Sequence, residues 1–474
     1  MKYVSTRGQA PILNFEEALL VGLASDGGLY MPATWPHIPP DFIADCQDKS
    51  YADIAYQVLR LFLADTPQEA DLQALIDKAY AAFDNSQIAP LVSLGTDKAG
   101  YPHYLLELFH GPTYAFKDIA MQLLAQFMSH ILARRGQPIS IIGATSGDTG
   151  GAAIEALRGR DMINVFILYP KDRVSDIQRK QMTTPQEENI HVIAIDGTFD
   201  DCQSLVKALF NDKDLRAKAN LTGVNSINWA RIMAQMVYYF TAAAALAAEL
   251  GKEQKLAFCV PTGNFGDIFA GFAAKQMGLP IKRLMIATNE NDILARTLQT
   301  GVYALGDVVA TSSPSMDIQR SSNFERLIFE ACGRDADCVR DLMAELAKKG
   351  QFTLPADALS FIREDFVALR IDEAHMATTM AQIYTDKGMM LDPHSAVGVA
   401  AAQSADMVKD LPANTPIISL ATAHPAKFPT AVEKACGVPP PMPPRLANLL
   451  DKPERAIDMP NNIARVADYI NSHI

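Results

Sequence analysis

The sequence is poor in the residue patterns that build metal, disulfide or nucleic-acid sites. Its six cysteines form no C-x-x-C pair, and no histidine stands at a spacing typical of zinc ligands. We therefore predict no bound metal and interpret the cysteines as reduced thiols. Basic residues number 42 against 54 acidic ones, which gives a formal net charge of −12. This balance argues against nucleic acid or anionic membranes as partners.

Signal segments and membrane spans are also lacking. The N-terminus has no basic stretch followed by an apolar one, which argues against a secretory signal peptide. The longest uncharged run, residues 232–248, is alanine-rich and contains Gln235 and Thr241, which favours a buried helix over a membrane span. We therefore predict a cytoplasmic protein without membrane partners, present as a monomer or a homodimer.

What the chain does contain is a lysine in an unusual place. Lys117 lies within the segment Gly111-Pro-Thr-Tyr-Ala-Phe-Lys-Asp-Ile-Ala120, where apolar residues recur at helical spacing and Thr113 is a possible N-cap. The spacing predicts that Lys117 lies in the first turns of an amphipathic helix. A lysine amine removed from water loses its proton more easily and becomes a nucleophile toward an aldehyde. On this segment alone, a lysine that reaches from the helix edge to solvent remains the alternative.

A glycine turn follows a predicted strand further along the chain. The segment Val260-Pro-Thr-Gly-Asn-Phe-Gly-Asp267 comes directly after the apolar run 256–260 and opens a helical pattern that continues to Met277. Gly263 and Gly266 allow a tight turn with outward-facing N–H groups at a helix N-terminus, which suits a phosphate. The turn lacks the Gly-Lys-Ser/Thr of a Walker A loop and the Gly-x-Gly-x-x-Gly of dinucleotide folds. A turn whose glycines serve close packing only remains the alternative.

A second turn of this kind follows the predicted strand 138–142. It reads Ile141-Ile-Gly-Ala-Thr-Ser-Gly-Asp-Thr-Gly-Gly151, and its hydroxyls and backbone N–H groups predict a carboxylate site. Asp148 would repel that carboxylate, so we expect its side chain to point away and to cap the helix that starts near Thr149. A serine- and glycine-rich loop without a ligand remains the alternative.

Several other polar residues are weaker candidates. His394 and His424 stand beside prolines, where a packed or capping histidine is more common than a catalytic one. Lys171 and Arg173 could approach a substrate phosphate, but a solvated charge cluster is the preferred interpretation.

The order of strand and helix patterns predicts an α/β protein with a large and a small lobe. Residues 1–95 alternate helical patterns with proline-rich breaks and are interpreted as an N-terminal domain. Residues 136–222 alternate strands and helices and are predicted to form a small mobile α/β domain. Residues 96–135 and 223–474 then form the large domain, with a helix-rich insertion at about 323–386.

Taken in chain order, these motifs resemble those of the threonine synthases. The resemblance is to the longer form found in many bacteria and fungi, and it covers nearly the whole chain. It implies fold type II of the pyridoxal phosphate (PLP) enzymes, similar to tryptophan synthase β, with parallel sheets flanked by helices. The motifs that carry it are Tyr3-Val-Ser-Thr-Arg-Gly8, Asp26-Gly-Gly-Leu-Tyr-Met-Pro32, the lysine segment, the Thr-Ser-Gly-Asp-Thr turn, Tyr169-Pro-Lys-Asp-Arg-Val-Ser175, Asn225-Ser-Ile-Asn-Trp-Ala-Arg231, the Gly-Asn-Phe-Gly-Asp loop, Asp392-Pro-His-Ser-Ala-Val-Gly398 and Thr422-Ala-His-Pro-Ala-Lys427.

The resemblance also implies roles for individual residues. Lys117 would hold PLP as a Schiff base, and Thr422 would face the pyridine nitrogen of the cofactor. The residues expected to bind the cofactor phosphate are Gly263, Asn264, Phe265, Gly266 and Asp267. The residues expected to bind the substrate are Thr145, Ser146, Gly147 and Thr149 at its carboxylate, and Asn225, Ser226 and Arg231 at its phosphate.

The implied reaction converts O-phospho-L-homoserine and water into L-threonine and phosphate, the last step of threonine biosynthesis. It combines a PLP-dependent γ-elimination with addition of water at the β-carbon. Two alternatives stay open. Another fold type II lyase, a serine/threonine dehydratase or a phosphohomoserine phospholyase, would need no committed addition of water. A non-catalytic PLP-binding or nucleotide-binding protein is the second alternative.

Overall fold

The computed structural model describes residues 1–251 and 254–474. Its fold is built on two large sheets whose strands are mainly parallel. The strands are β1 Tyr3–Ser5, β2 Tyr30–Pro32, β3 Leu91–Thr96, β4 Pro102–Glu107, β5 Ile139–Ala144, β6 Ile163–Pro170, β7 Ile190–Asp196, β8 Leu221–Thr222, β9 Leu256–Pro261, β10 Ile281–Thr288, β11 Val302–Ala304, β12 Gln351–Thr353, β13 Phe366–Arg370, β14 Ile417–Ala421 and β15 Ile457–Pro460.

Helices connect and cover these strands. They are α1 Phe15–Val21, α2 Phe42–Asp45, α3 Tyr51–Leu63, α4 Pro67–Tyr80, α5 Lys117–Arg135, α6 Asp148–Leu157, α7 Asp176–Thr183, α8 Phe199–Asn211, α9 Lys213–Ala219, α10 Trp229–Leu250, α11 Gly266–Gln276, α12 Ile293–Thr300, α13 Phe324–Ala331, α14 Ala336–Lys349, α15 Ala356–Asp365, α16 Glu373–Lys387, α17 Pro393–Ala402, α18 Ala405–Val408, α19 Pro429–Cys436, α20 Pro444–Leu450 and α21 Ile463–Asn471. Short 3-10 turns lie at Pro314–Met316 and Pro425–Lys427.

Two sheets, one larger and one smaller, organise most of the strands. Within the described residues, the larger sheet has the order β13-β10-β9-β14-β4-β3 and is parallel except for the edge pair β3–β4. The smaller sheet has the order β15-β7-β6-β5-β8 and is parallel throughout. Parallel neighbours need crossover connections, which the helices supply. The predicted α/β architecture is therefore confirmed.

Local sequence sets the ends of the helices that support the sheets. Ser50 and Ser175 form capping boxes at the starts of α3 and α7, because each side chain accepts a hydrogen bond from a backbone N–H in the first turn. Gly136 ends α5 in the left-handed conformation, with φ 65°. Helix α10 spans the uncharged run 232–248, and Met233, Val237 and Phe240 along it are fully buried. No helix in residues 1–251 or 254–474 is long and apolar enough to cross a membrane.

Residues 366–370 differ from the sequence interpretation. We predicted a helix-rich insertion at about 323–386, but Phe366–Arg370 forms β13 and pairs in parallel with β10 at the edge of the larger sheet. A short apolar run placed directly after a helix fits either secondary structure, because periodicity does not distinguish them over five residues. The insertion therefore completes the larger sheet.

The C-terminal end of the chain is packed differently from the predicted domains. Strand β15 pairs with β7, and Val466 and Ile470 of α21 lie in the core of the smaller sheet, so the assignment of all of 223–474 to the large domain is wrong for this segment. Near the N-terminus, the ring of Tyr3 packs 6.2 Å from that of Trp229 of α10, within a core shared with the larger sheet. The boundary at residue 95 and the mobility of residues 136–222 stay predictions.

Candidate active site

Four predicted segments meet at the carboxyl ends of the two sheets. The turn 145–149 follows β5, the loop 263–267 follows β9, Thr422 follows β14, and Lys117 opens α5. Lys117 Nζ lies 3.6 Å from an oxygen of Asp148, and the N–H of Phe116 donates to the carbonyl of Thr422 at 2.8 Å. In open parallel sheets, ligands bind at this edge.

Lys117 begins its helix without a capping side chain. Phe116 is the N-cap residue and makes no side-chain cap bond, so the prediction that Thr113 caps this helix is wrong. Instead, the N–H and the hydroxyl of Thr113 both donate to the carboxylate of Asp118 at 2.7 Å. Asp118 thereby holds the turn that precedes the helix. Lys117 itself is 9% exposed, which confirms a buried amine.

Asp148 points into the site. Its Oδ1 lies 2.7 Å from Nζ of Lys427 and accepts a hydrogen bond from Gln178 at 2.9 Å, while Oδ2 faces Lys117. Helix α6 starts at Asp148 after Gly147 and has no side-chain cap bond. The prediction that Asp148 points away as a helix cap is therefore wrong. Two buried ammonium groups need a counter-ion, and that need outweighs one capping bond.

The charges around Asp148 shift its pKa and that of Lys117 in defined directions. Burial alone raises the pKa of Asp148, but the charges of Lys427 and Lys117 outweigh it and hold that pKa well below its usual range. Burial lowers the pKa of Lys117; Asp148 opposes this shift, while the positive charges of Lys427 and Arg231 add to it. The site therefore favours a carboxylate at Asp148 and an amine at Lys117 that releases its proton more readily than an exposed lysine.

Lys427 is a functional candidate that the sequence interpretation did not assign. Its side chain is fully buried, and Nζ donates to the carbonyl of Thr113 at 2.9 Å as well as to Asp148. The available signal was a lysine within the mostly apolar stretch 421–432, which contains no acidic residue. The sequence does not show which carboxylate pairs with this lysine, because Asp148 is distant from it along the chain.

Asp148→Asn is expected to destabilise the cofactor-free protein by roughly 3 kcal/mol, because it leaves buried lysines without their carboxylate. Since the folded pKa of Asp148 is depressed, its contribution is present above the unfolded value of about 3.8 and is lost as pH falls through the folded value. Urea unfolding at neutral pH measures the effect. Asp458→Asn is the matched control, because it removes the exposed partner of Lys171 and should change little. Equal stability of the two variants would contradict this role of Asp148.

The loop 263–267 has the features of a phosphate site. Helix α11 begins at Gly266, its N-cap residue Phe265 adopts a left-handed φ of 64°, and no side chain caps the first turn. The first N–H groups of α11 are therefore available to an anion, and the helix dipole adds positive potential there. The hydroxyls of Tyr238 and Tyr239 both donate hydrogen bonds to the carboxylate of Asp267. Burial raises the pKa of Asp267 to about 6.

Gly263→Ala is expected to weaken PLP binding by about 1–3 kcal/mol, because overpacking forces the loop to shift. A Cβ at this position would lie 2.9 Å from the carbonyl oxygen of Ser315 and 3.2 Å from Cα of Met316, both of which are backbone atoms. Titration of the cofactor-free protein with PLP measures the change. In the control Gly306→Ala, the nearest atom would lie 3.6 Å away, so binding should stay unchanged. Equal affinity in both variants would show that the loop tolerates the added methyl group.

A series of hydrogen bonds through Ser395 and Asp392 fixes the backbone of Thr422. Its N–H donates to Oγ of Ser395 at 3.0 Å, and Ser395 in turn donates to Asp392. Nδ1 of His394 also contacts Asp392 at 2.7 Å, while Nε2 accepts from the N–H of Ser315. His394 therefore donates through Nδ1 and orients the site as a packed group, in agreement with the preferred sequence interpretation.

His424 also acts as a structural group. Its Nδ1 accepts from the N–H of Ala426 and so caps the 3-10 turn Pro425–Lys427. Burial lowers the pKa of His424 to about 4, so the ring is neutral at physiological pH and can accept this bond.

The turn after β5 is organised by Thr145. Its hydroxyl accepts from the N–H groups of Gly147 and Gly150, at 3.0 and 2.9 Å, and retains its own proton for donation to a ligand. Gly147 has φ 136°, and a Cβ there would lie 2.4 Å from Gln178, so only glycine fits. Ser146 and Thr149 are half-buried at the same turn. The arrangement has the donors that a carboxylate needs.

Arg231 is a buried cation. Nη1 donates to the carbonyl of Val224 at 3.3 Å, while Nε has no partner among the described residues, and no carboxylate in that part of the chain forms an ion pair with it. Burial lowers its pKa to about 10, so it keeps its charge at neutral pH. Its charge also acts on Lys117. Such a group suits an anionic ligand.

The segment that carries Arg231 adjoins the phosphate loop. A Cβ on Gly266 would lie 3.6 Å from Cβ of Ser226, and one on Gly143 would lie 3.6 Å from the side-chain oxygen of Asn225. The predicted substrate-phosphate segment is thus placed between the loop after β9 and the strand β5. Lys171 and Arg173 are exposed instead, and Lys171 pairs with Asp458 at 2.6 Å, which supports their interpretation as surface charges.

The residues present fit PLP. A buried lysine can bind its aldehyde, an uncapped helix N-terminus over a glycine cradle can bind its phosphate, and Thr422 offers a hydroxyl for its ring nitrogen. No group of three or more His, Cys, Asp or Glu side chains in the described ranges is arranged to hold a metal ion. Together with the two parallel sheets, these features define a PLP-dependent enzyme of fold type II.

Comparison with known proteins narrows the class to one family. The family model described as pyridoxal-phosphate dependent enzyme matches residues 85–423, and models of the threonine synthase N terminus and C-terminal region match 2–80 and 395–470. The chain belongs to the threonine synthase family, and its cofactor is PLP.

Individual relatives cover all or most of the chain. The threonine synthase of Pseudomonas aeruginosa is 46% identical, with 100% of this chain and 98% of the relative covered. The threonine synthase of Saccharomyces cerevisiae is 45% identical, with 91% and 88% covered. The crystal structure of PLP-bound threonine synthase from Brucella melitensis superposes with a TM-score of 0.93 at 51% identity and covers 100% of this chain and 99% of that one.

Proposed function

We propose that this enzyme converts O-phospho-L-homoserine and water into L-threonine and phosphate, as the last step of threonine biosynthesis in the cytoplasm. The observation that carries the proposal is Arg231, a buried cation without a carboxylate partner among the described residues, on a segment that adjoins the cofactor loop through Ser226 and Gly266. One anion site suits the phosphate of PLP, and the second suits a phosphate on the substrate.

The geometry of the site supports the proposed roles at the cofactor. When bound, PLP supplies an aldehyde that links to an amine and an aromatic ring that stabilises negative charge on the adjacent carbon. Lys117 is the residue that joins it, and Gly263, Asn264, Phe265, Gly266 and Asp267 bind its phosphate. Thr422 would offer its neutral hydroxyl to the ring nitrogen, and such a partner favours an unprotonated nitrogen.

The proposed roles at the substrate use the two remaining segments. Thr145, Ser146, Gly147 and Thr149 bind the carboxylate through hydroxyls and backbone N–H groups. Asn225, Ser226 and Arg231 bind the phosphate and hold it as it leaves the γ-carbon. Binding energy from the phosphate then helps to orient the bonds that break.

Lys117 is the proposed proton carrier. Once the substrate amine has displaced it, the free amine of Lys117 would take the α-proton and then a β-proton. The lowered pKa of Lys117 favours the neutral form that these steps need. Phosphate would leave with the electron pair of the Cγ–O bond, and the two protons would return, one to the γ-carbon and one to the α-carbon. Water would add its hydroxyl group at the β-carbon, and its remaining proton would pass to the phosphate. Closure of the smaller lobe, residues 136–222, would limit early release of an oxoacid.

Product analysis tests this proposal against the other lyase reactions. Purified protein is incubated with PLP and O-phospho-L-homoserine, and amino acids, oxoacids and phosphate are quantified. We expect threonine and phosphate in equal amounts. Phosphate with 2-oxobutyrate would instead identify a phospholyase, and 2-oxobutyrate from threonine without phosphorylated substrate would identify a dehydratase.

A further inference from the structure

Two buried lysines share one buried carboxylate, and they share it unequally. Lys427 Nζ lies 2.7 Å from Oδ1 of Asp148, whereas Lys117 Nζ lies 3.6 Å from Oδ2. Lys427 is fully buried, so its ammonium cannot turn to water. The contact at 2.7 Å has hydrogen-bond geometry and the one at 3.6 Å does not. The negative charge of Asp148 therefore stabilises the Lys427 ammonium more than a charge on Lys117.

We propose that Lys427 is a positioning residue that holds Asp148 back from Lys117 and thereby leaves the Lys117 amine free to lose its proton and bind the cofactor. The inference rests on the proposed function only for the choice of Lys117 as the lysine joined to PLP. It concerns proton state in the protein before any substrate binds, so it can be tested without turnover.

Further contacts fix Lys427 in this arrangement. Its Nζ also donates to the carbonyl of Thr113, which accepts a second bond from Gln181 at 2.9 Å. Thr113 is bonded in turn to Asp118, the residue after Lys117. Lys427 thus contacts both the counter-ion of Lys117 and the turn from which Lys117 extends. A displaced Lys427 would free Asp148 to approach Lys117.

Several other titratable groups lie close to Lys117 and Lys427. Those that face Lys117 or Lys427 are Asp148 of α6, Arg231 of α10, Asp267 of α11, Asp118 of α5 and His424 before the 3-10 turn. Asp118 and Asp267 have pKa values raised to about 6 by burial, and His424 is neutral. Removal of Lys427 therefore leaves Asp148 with Lys117 as its remaining lysine partner.

The chemical step that depends on this proton state is the condensation of Lys117 with the aldehyde. The lone pair of the neutral amine attacks the aldehyde carbon and forms the carbon–nitrogen bond. The aldehyde oxygen leaves as water with two protons, so no oxidant or reductant takes part. A protonated amine has no lone pair and does not react.

Competitive labelling of the full-length chain, after removal of PLP, tests the proposal. An amine-reactive acylating reagent is applied across a pH series, and peptide mass spectrometry gives the pH at which Lys117 is half-reactive. We expect Lys427→Met to raise this pH by roughly one to two units, because Asp148 then pairs with Lys117 alone. Asp148→Asn should lower it. The rate of PLP recombination near neutral pH should fall about tenfold per unit of upward shift.

The control and the double variant separate this mechanism from general damage. Lys275→Met removes another ion-paired lysine, the partner of Asp365 at 2.5 Å, and should leave the half-reactive pH of Lys117 unchanged. In the Asp148→Asn background, adding Lys427→Met should raise the half-reactive pH of Lys117 by clearly less than in the unmodified protein, because only the direct charge of Lys427 on Lys117 is then removed. This comparison remains available if Lys427→Met alone does not fold.

Two results would overturn the inference. One is a half-reactive pH of Lys117 that does not rise in Lys427→Met, and the other is an equal rise with and without Asp148. A PLP adduct that maps to a different lysine would instead refute the proposed function, so the two failures are distinguishable.

Discussion

Lys117→Ala should lose covalent PLP attachment and turnover while the fold stays nearly intact. Asp148 keeps its 2.7 Å contact with Lys427 and its bond from Gln178 in this variant, so no buried carboxylate is left without a partner. We expect kcat to fall by roughly 10⁴-fold or more, because proton transfer by a positioned group alone contributes about 10²–10⁴-fold. PLP should still bind through its phosphate at the loop 263–267, but without a covalent link.

Borohydride reduction followed by peptide mass spectrometry checks the assignment. In the unmodified protein we expect the reduced adduct on Lys117, and in Lys117→Ala we expect none. Lys275→Ala serves as the matched control and should retain both adduct and activity. An adduct on Lys427 or Lys171 would mean that the wrong lysine has been assigned.

Arg231→Ala should separate cofactor binding from substrate recognition. The two phosphates are assigned to different groups, one to backbone N–H groups of α11 and the other to the Arg231 side chain. We expect PLP occupancy near normal, while kcat/KM for O-phosphohomoserine falls by roughly ten- to several-hundred-fold, equivalent to about 1.5–3 kcal/mol.

Comparison of two substrates gives this prediction its control. An unphosphorylated amino acid that undergoes a slow side reaction should be much less affected by Arg231→Ala, because it makes no phosphate contact. Arg231→Lys keeps the charge but not the planar guanidinium, so we expect a smaller loss for the phosphorylated substrate. Equal losses for both substrates, or a protein without PLP, would show that Arg231 supports the fold or the cofactor instead.

The sequence was most informative where chemistry depends on neighbouring residues. Lys117 at a helix start and the glycine loop 263–267 after β9 could be predicted because a strand, a turn and a helix leave local patterns. The shared position of these motifs at the sheet edges follows from the parallel topology. Local patterns were therefore sufficient to predict the fold class and the segments that form the centre of the site.

Features set by contacts between distant segments could not be predicted in this way. Asp148 was expected to cap its own helix, but its partners are Lys117 and Lys427, which come from other elements. The same limit applies to β15, whose pairing with β7 places the end of the chain on the smaller sheet. A single sequence shows that a lysine is surrounded by apolar residues, but it does not show which carboxylate will face it.

Oxygen-isotope tracing tests the central claim most directly. O-phospho-L-homoserine is converted in water labelled with oxygen-18, and the position of the label in the products is read by mass spectrometry. The account predicts cleavage of the carbon–oxygen bond and addition of water at the β-carbon, so the threonine hydroxyl should carry one solvent oxygen and the released phosphate none. Labelled phosphate with unlabelled homoserine would mean hydrolysis at phosphorus and would contradict the account.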